Sequence, residues 1–423
     1  MKRRPSVFII FLTVFIDLIG FGMVVPLVPI YSKYYGAGAL MLGVIGASFS
    51  AMQFIFSPIW GRLSDQHGRR PILLISTAGA TISYVGFALA SGIKDPSVAI
   101  WGLLISRAFA GICGGNITVA HAYIADITPA EERSKKMGLI GMAFGLGFLF
   151  GPILTWIGLR HLGDTGPGWL AAGLCALNFG LAWFILGESR KPNSEEAKAR
   201  PRWDQWRHTM SQPKVAALVM IFFMATFCFS CFEFTLGWLI NDNFHLGLTE
   251  DQTKSATTVV MLFVYCAVIG VFVQGGAIGR LVKLMGEARL IVLSLFLTGA
   301  SFLLLPIIRG DGALSWSLLF KPEGTPWLLM LLALALLVIG SNLTRPPLFG
   351  LLSNLTPANE QGSTLGVAQS AGSLARILGP FFAALVYERS HSLPYFICGG
   401  LALLTGILAV QWLRGVRVVV PSA

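Results

Sequence analysis

Twelve apolar stretches, each long enough to cross a lipid bilayer, leave this chain very few folds. A hydrocarbon layer of ~30 Å needs about 20 helical residues at ~1.5 Å each. Runs of that size fall near residues 7–31, 40–60, 71–92, 98–122, 137–159, 168–187, 215–240, 257–279, 288–308, 326–352, 363–387 and 392–413. Composition agrees: 55% of the residues are hydrophobic and 12% charged, against about a quarter charged in soluble domains. The fold expected is all-α and integral to the membrane. The start "MKRRP" is followed by an apolar run longer than the ~7–15 residues of a signal peptide, and is read as an uncleaved first span.

The formal charge of +11 points to no nucleic-acid partner, because Lys and Arg stand singly or in pairs between apolar runs. They gather in alternate connections: Lys2, Arg3 and Arg4; Arg62, Arg69 and Arg70; Arg133, Lys135 and Lys136; the central polar stretch; Arg280, Lys283 and Arg289; Arg414 and Arg417. By the positive-inside rule those connections and both termini are cytoplasmic. The longest polar interval, "GESRKPNSEEAKARPRWDQWRHTMSQPK", divides the spans six and six. It sets expected units at 1–188, 189–213 (a cytoplasmic linker) and 214–423. Within it, Trp203 and Trp206 mark an amphipathic segment expected to lie on the inner membrane surface.

The halves repeat each other. "ITPAEERSKKMG" from Ile127 answers "LTPANEQGSTLG" from Leu355, and the step from Pro129 to Pro152 equals that from Pro357 to Pro380, 23 residues. "GRLSDQHG" from Gly61 has a worn copy, "GRLVKLMG", from Gly279. Two like-oriented six-helix repeats make one transporter body with a cavity between them. The six cysteines lie in apolar runs, and Cys228-x-x-Cys231 has no second ligand pair, so neither metal nor cofactor is expected.

Ionisable groups within a bilayer are costly, at least ~2.5–3.5 kcal/mol each, and usually line a cavity or pair. Asp17 falls near mid-depth of span 1 and is the leading proton carrier, with Glu233 on span 7 second. Arg107 on span 4 is expected to partner Asp17. Arg345 on span 10, ahead of Pro346-Pro347, stands at a break in the helix or near the inner interface. Arg376 on span 11 is open to substrate or to Glu233. Gln53, Asn116 and Asn342 are candidate cavity donors, and His121 reads as structural. Three cations against two anions favour a substrate carrying negative charge, or a zwitterion.

"GRLSDQHGRRP" resembles the loop between helices 2 and 3 of the major facilitator superfamily, G-x-L-[SA]-D-x-x-G-R-[RK], in the expected cytoplasmic position; the likeness extends over essentially the whole chain. It implies two pseudo-symmetric six-helix bundles working by alternating access. It further implies a conformational latch of Gly61, Asp65, Gly68, Arg69, Arg70 and Asp126. Asp65 would cap the N-terminal end of helix 11, where dipole and free N–H groups favour an anion, and Arg69 would pair with Asp126. The second copy has Lys283 for the acid and Ala288-Arg289 for the arginines, so a full latch is expected in the first half alone. Leu103, Arg107 and Gly111 match the family's helix 4 pattern, and Gly147, Gly151 and Pro152 the hinge of antiporter helix 5, with Thr155 and Trp156 departing from the usual Gly-Gly.

"DLIGFGMVVPLVP", "AMQF" and "AYIADITPAEER" are similar to twelve-helix drug–proton antiporters of tetracycline-efflux type, although "MLFVYCAVIGVFVQGG" in span 8 lacks their coupling histidine. The resemblance implies proton-coupled efflux of an amphipathic organic compound, the alternative being a carrier of an endogenous organic anion. The expected partners are a small-molecule substrate, protons and the lipid bilayer, for a monomer in a bacterial inner membrane. No H-E-x-x-H or Ser–His constellation suggests an enzyme.

Overall fold

A computed structural model describes residues 5–24, 27, 31, 35–36, 39–190, 202–246, 252–315, 319 and 321–415. Lys2, Arg3, Arg4, Arg417, most of residues 25–30, the linker residues 191–201 and the Trp203 side chain lie outside that description. Backbone amides have no water to bond in hydrocarbon, so each crossing segment closes its own hydrogen bonds as a helix. The described residues supply twelve spans: Val7–Val24, Gly43–His67, Arg69–Ser91, Pro96–Ile127, Ala130–Leu162, Gly166–Ile185, Pro213–Phe244, Thr258–Met285, Glu287–Leu304, Pro322–Leu355, Gln361–Tyr387 and Leu393–Trp412. They are numbered 1 to 12 below.

Spans 1–6 form one bundle, in which 1 packs on 5 and 6, 3 on 6, and 4 on 2 and 3. In the second, 9 packs on 10 and 12, and 7 on 11 and 12. The bundles meet chiefly where 2 lies against 11 and 5 against 8 and 10. The repeat exchanges the 2–11 pair with the 8–5 pair, so one sequence unit used twice yields a two-fold seam.

Glycine sets the closeness of span 1 to span 5. A methyl on Gly22 would collide with the Gly147 carbonyl, and one on Gly151 with the Gly22 backbone. The helix runs unbroken through Pro152. Thr155, where the family pattern has glycine, donates its hydroxyl to the carbonyls of Met23 and Gly151, 3.0 Å each.

Two expectations are corrected, and the linker helix is placed. Span 4 is two helices, Pro96–Cys113 and Asn116–Ile127, because Gly114 and Gly115 interrupt the ladder. The break frees carbonyls, and span 2 satisfies them: Trp60 donates to the Ile112 carbonyl and Gln53 Nε2 to that of Gly114 at 3.2 Å. Span 10 does not break at Pro346-Pro347; helix Thr325–Leu355 is continuous. The linker helix Arg202–Ser211 buries Gln205 and Thr209, and the Trp206 ring lies 6.3 Å from that of Phe54. It packs against spans 7 and 11.

Candidate functional site at the seam between the bundles

The end of the molecule carrying Gly61–Pro71 is sealed by a buried charge cluster. Asp65, 1% exposed, accepts from the amides of Gly362 (2.8 Å) and Ser363 (2.6 Å). Those are the second and third residues of helix Gln361–Tyr387, whose first-turn N–H groups have no partner within the helix. Arg69 Nη1 bonds Asp65 Oδ1 at 2.6 Å and Ser64 Oγ at 2.7 Å, and its Nε bonds Asp126 Oδ2 at 2.9 Å. One guanidinium thus joins spans 2, 3 and 4 while the carboxylate joins span 2 to span 11. Gly61 and Gly362 meet backbone to backbone: a methyl on either would strike the other's carbonyl oxygen.

Gly68 has φ 95°, a turn that favours glycine. It aims the first amides of span 3 at Glu188, which accepts from Arg69 N (2.9 Å) and Arg70 N (3.1 Å). Ser189 then donates to Asp126 at 2.9 Å. Sequence reasoning missed Glu188 and Ser189. The available signal was an acid placed just where span 6 returns to the basic end, facing a helix start rich in arginine. Arg70 Nη2 bonds the Trp183 carbonyl at 2.9 Å.

The second copy is worn but still makes a tie. Glu287 occupies the position matching Arg69, and Ser134 Oγ donates to it at 3.0 Å. Arg133 Nη1 bonds Asn354 Oδ1 at 3.0 Å and the Ser353 carbonyl at 3.3 Å. The repeat has kept an acid reaching toward the start of span 5 while moving it four positions along the chain.

At mid-depth the seam holds Gln53, Ser373 and Arg376. Arg376 Nη2 donates to Gln53 Oε1 at 2.6 Å and to Ser373 Oγ at 2.9 Å, and Ser373 Oγ donates to Gln53 Oε1 at 3.0 Å. Glu233 is exposed, yet within electrostatic reach of Arg345 and Arg376. Glu233 thus shares its electrostatic surroundings with Arg376, which touches the opposite bundle. Arg345 lies 5.9 Å from the ring centres of Phe222 and of Phe229. Two guanidinium groups, a carboxylate and aromatic rings therefore gather in this part of the second bundle.

Asp17, partly exposed, has Asn116 and Cys175 beside it, with Cys175 Sγ at 3.9 Å. The expected ion pair with Arg107 is absent among the described residues. Arg107 stacks instead between Phe21 and Phe49, at 5.7 and 5.0 Å from their ring centres, and its Nε and Nη1 find no hydrogen-bond partner. Sequence placed Asp17 near mid-depth and named Arg107 as its partner, but did not give the rotation of either about its helix axis. Asn342 is tied to Gln274 and to the Val338 carbonyl, in register with the π-turn Val273–Ala277 of span 8. His121 packs its ring 4.3 Å from that of Phe349, across the seam.

Comparison with known proteins follows this geometry. The profile described as Major Facilitator Superfamily matches residues 10–320 and 278–422. The chain belongs to the major facilitator superfamily. It is 30% identical to the tetracycline resistance protein, class E, of Escherichia coli over 389 residues, covering 89% of this chain and 87% of that one. It is 26% identical to multidrug resistance protein 2 of Bacillus subtilis, covering 96% and 94%. The crystal structure of the human organic anion transporter MFSD10 (TETRAN) superposes with a TM-score of 0.77 at 24% identity, covering 96% of this chain and all of that one. The protein is therefore a multi-pass membrane transporter of a small molecule and not an enzyme.

Proposed function

We propose that this transporter exports an amphipathic organic compound bearing an acidic group, driven by inward proton flow. One observation carries the reading: Arg376 reaches across the seam at mid-depth while Arg345, aromatic rings and an exposed carboxylate, Glu233, share its space. Guanidinium forks recognise carboxylates, and flanking rings suit an apolar body. An organic anion transporter among proteins of this fold accords with that chemistry.

Asp17 and Glu233 are the proton carriers, each facing the interior from opposite bundles. The end sealed by Asp65 is cytoplasmic, as are both termini, and the conformation is outward-facing. Alternating access rocks residues 1–188 against 214–423, with Asp65, Arg69 and Asp126 holding the inner end shut and Gly147, Gly151 and Pro152 accommodating the motion of span 5. The membrane is a bacterial inner membrane, and the monomer is sufficient.

The test uses protein reconstituted in vesicles under an imposed pH gradient, with 1-naphthoate as probe. Gradient-driven flux is expected in the wild type and lost in Asp17→Asn, which should retain exchange of naphthoate without a gradient. Full gradient-driven flux in Asp17→Asn would remove the proton assignment.

A further inference from the structure

Gln53 does more than line the cavity: we infer that its amide oxygen takes the place of the substrate's acidic group on Arg376, so that closure of the inner end expels the anion. The inference rests on the organic-acid reading above and deepens it.

The argument is one of valence. A guanidinium has five N–H donors, and a carboxylate grips it best through two parallel bonds. Both two-point edges of the group, Nη1 with Nη2 and Nε with Nη2, include Nη2. That nitrogen has two hydrogens, and here they go to Gln53 Oε1 at 2.6 Å and Ser373 Oγ at 2.9 Å. An acid therefore cannot fork Arg376 in this conformation unless one of those partners leaves. Ser373 belongs to the same helix as Arg376 and stays with it; Gln53 belongs to the opposite bundle and arrives only when spans 2 and 11 close.

The amide is held in the orientation this role needs. Its Nε2 donates to the Gly114 carbonyl, freed by the break in span 4, which turns the oxygen toward Arg376. Gln53 is 2% exposed and Ser373 fully buried, so water does not substitute for either. With the inner end open, spans 2 and 11 separate and Arg376 is free to fork an acid from the cytoplasm. On closure Gln53 reclaims Nη2 and the anion leaves outward. Linkage makes the exclusion reciprocal: a bound acid must oppose closure of the inner end.

The experiment reads the distance between spin labels at Gln66→Cys and Ala358→Cys, exposed positions flanking the sealed end, in a background with the six native cysteines replaced. The probes are 1-naphthoate and its uncharged analogue 1-naphthamide. In the wild type naphthoate is expected to shift the population toward the long distance, and naphthamide to leave it unchanged. Gln53→Leu should favour the long distance without ligand by roughly tenfold or more, the effect of losing one hydrogen bond to a charged group, and should bind naphthoate more tightly while exporting it more slowly. Gln53→Glu should do the reverse, favouring the short distance and weakening naphthoate. Ser373→Ala frees one Nη2 hydrogen, so naphthoate should bind while Gln53 stays, and the distance should no longer respond. If naphthoate shifts Gln53→Leu and Ser373→Ala by the wild-type increment, the role of Gln53 is overturned and the organic-acid reading stands. If the wild type neither binds nor moves with naphthoate, both fall.

Discussion

Replacing Asp65 by Asn should release the sealed end without unfolding the protein. The carboxylate accepts two backbone N–H bonds and one from Arg69. Asn keeps one acceptor oxygen and turns the other into a donor facing donors. One hydrogen bond to a charged group is lost, about 1.5–3 kcal/mol, together with the attraction of a full charge to the start of span 11, about 0.3–1 kcal/mol. The sum, about 2–4 kcal/mol, converts to a roughly 30- to 1,000-fold change in the ratio of closed to open seam. Arg69 keeps Asp126 at 2.9 Å, so no buried cation is orphaned and the first bundle stays folded. The assay is alkylation by N-ethylmaleimide of Ser57→Cys, a position 1% exposed and packed on Gly366 across the seam, in the cysteine-free background. If the labelling rate with Asp65→Asn rises less than threefold while the melting temperature is unchanged, Asp65 does not hold the seam, and the reasoning fails.

Two further outcomes test the packing. Gly362→Ala places a methyl against the Gly61 carbonyl, Arg69 Nη1 (2.6 Å) and Asp65 Oδ1 (2.7 Å), and should accelerate the same labelling, whereas Gly276→Ala, with nothing within 4 Å, should not. Thr155→Val removes the bond to the Met23 carbonyl and should lower the thermal midpoint in detergent by the equivalent of about 0.5–1.5 kcal/mol; an unchanged midpoint would mean the hydroxyl is dispensable.

The number of spans and their two-fold arrangement were legible because hydrophobic length and repeated Thr-Pro and Gly-Pro steps are one-dimensional signals. The contacts among Asp65, Arg69 and the start of span 11 were expected only because a short stretch, Gly61–Pro71, resembles a family loop; the stretch itself carries the acid and the cation but not their distant partner. Glu188 was not, since 119 positions separate it from the amide it accepts, and only folding returns span 6 to that place. Depth along a helix was readable for Asp17, but pairing with Arg107 also needs the angle about each axis, which near-uniform apolar surroundings do not encode. The break in span 4 escaped because Gly114-Gly115 sits equally well inside a membrane helix, where glycine commonly serves close packing. Glu287 was overlooked because the arginine pair was matched one position late, to Ala288-Arg289, whereas the acid stands opposite Arg69.

The backbone-to-backbone meeting of Gly61 and Gly362 has an energetic meaning of its own. A crevice that cannot admit a methyl group cannot admit a file of water molecules, and protons hop along such files. In the proposed proton-driven cycle, glycine at this level would insulate as well as pack, keeping the gradient from leaking through the closed end.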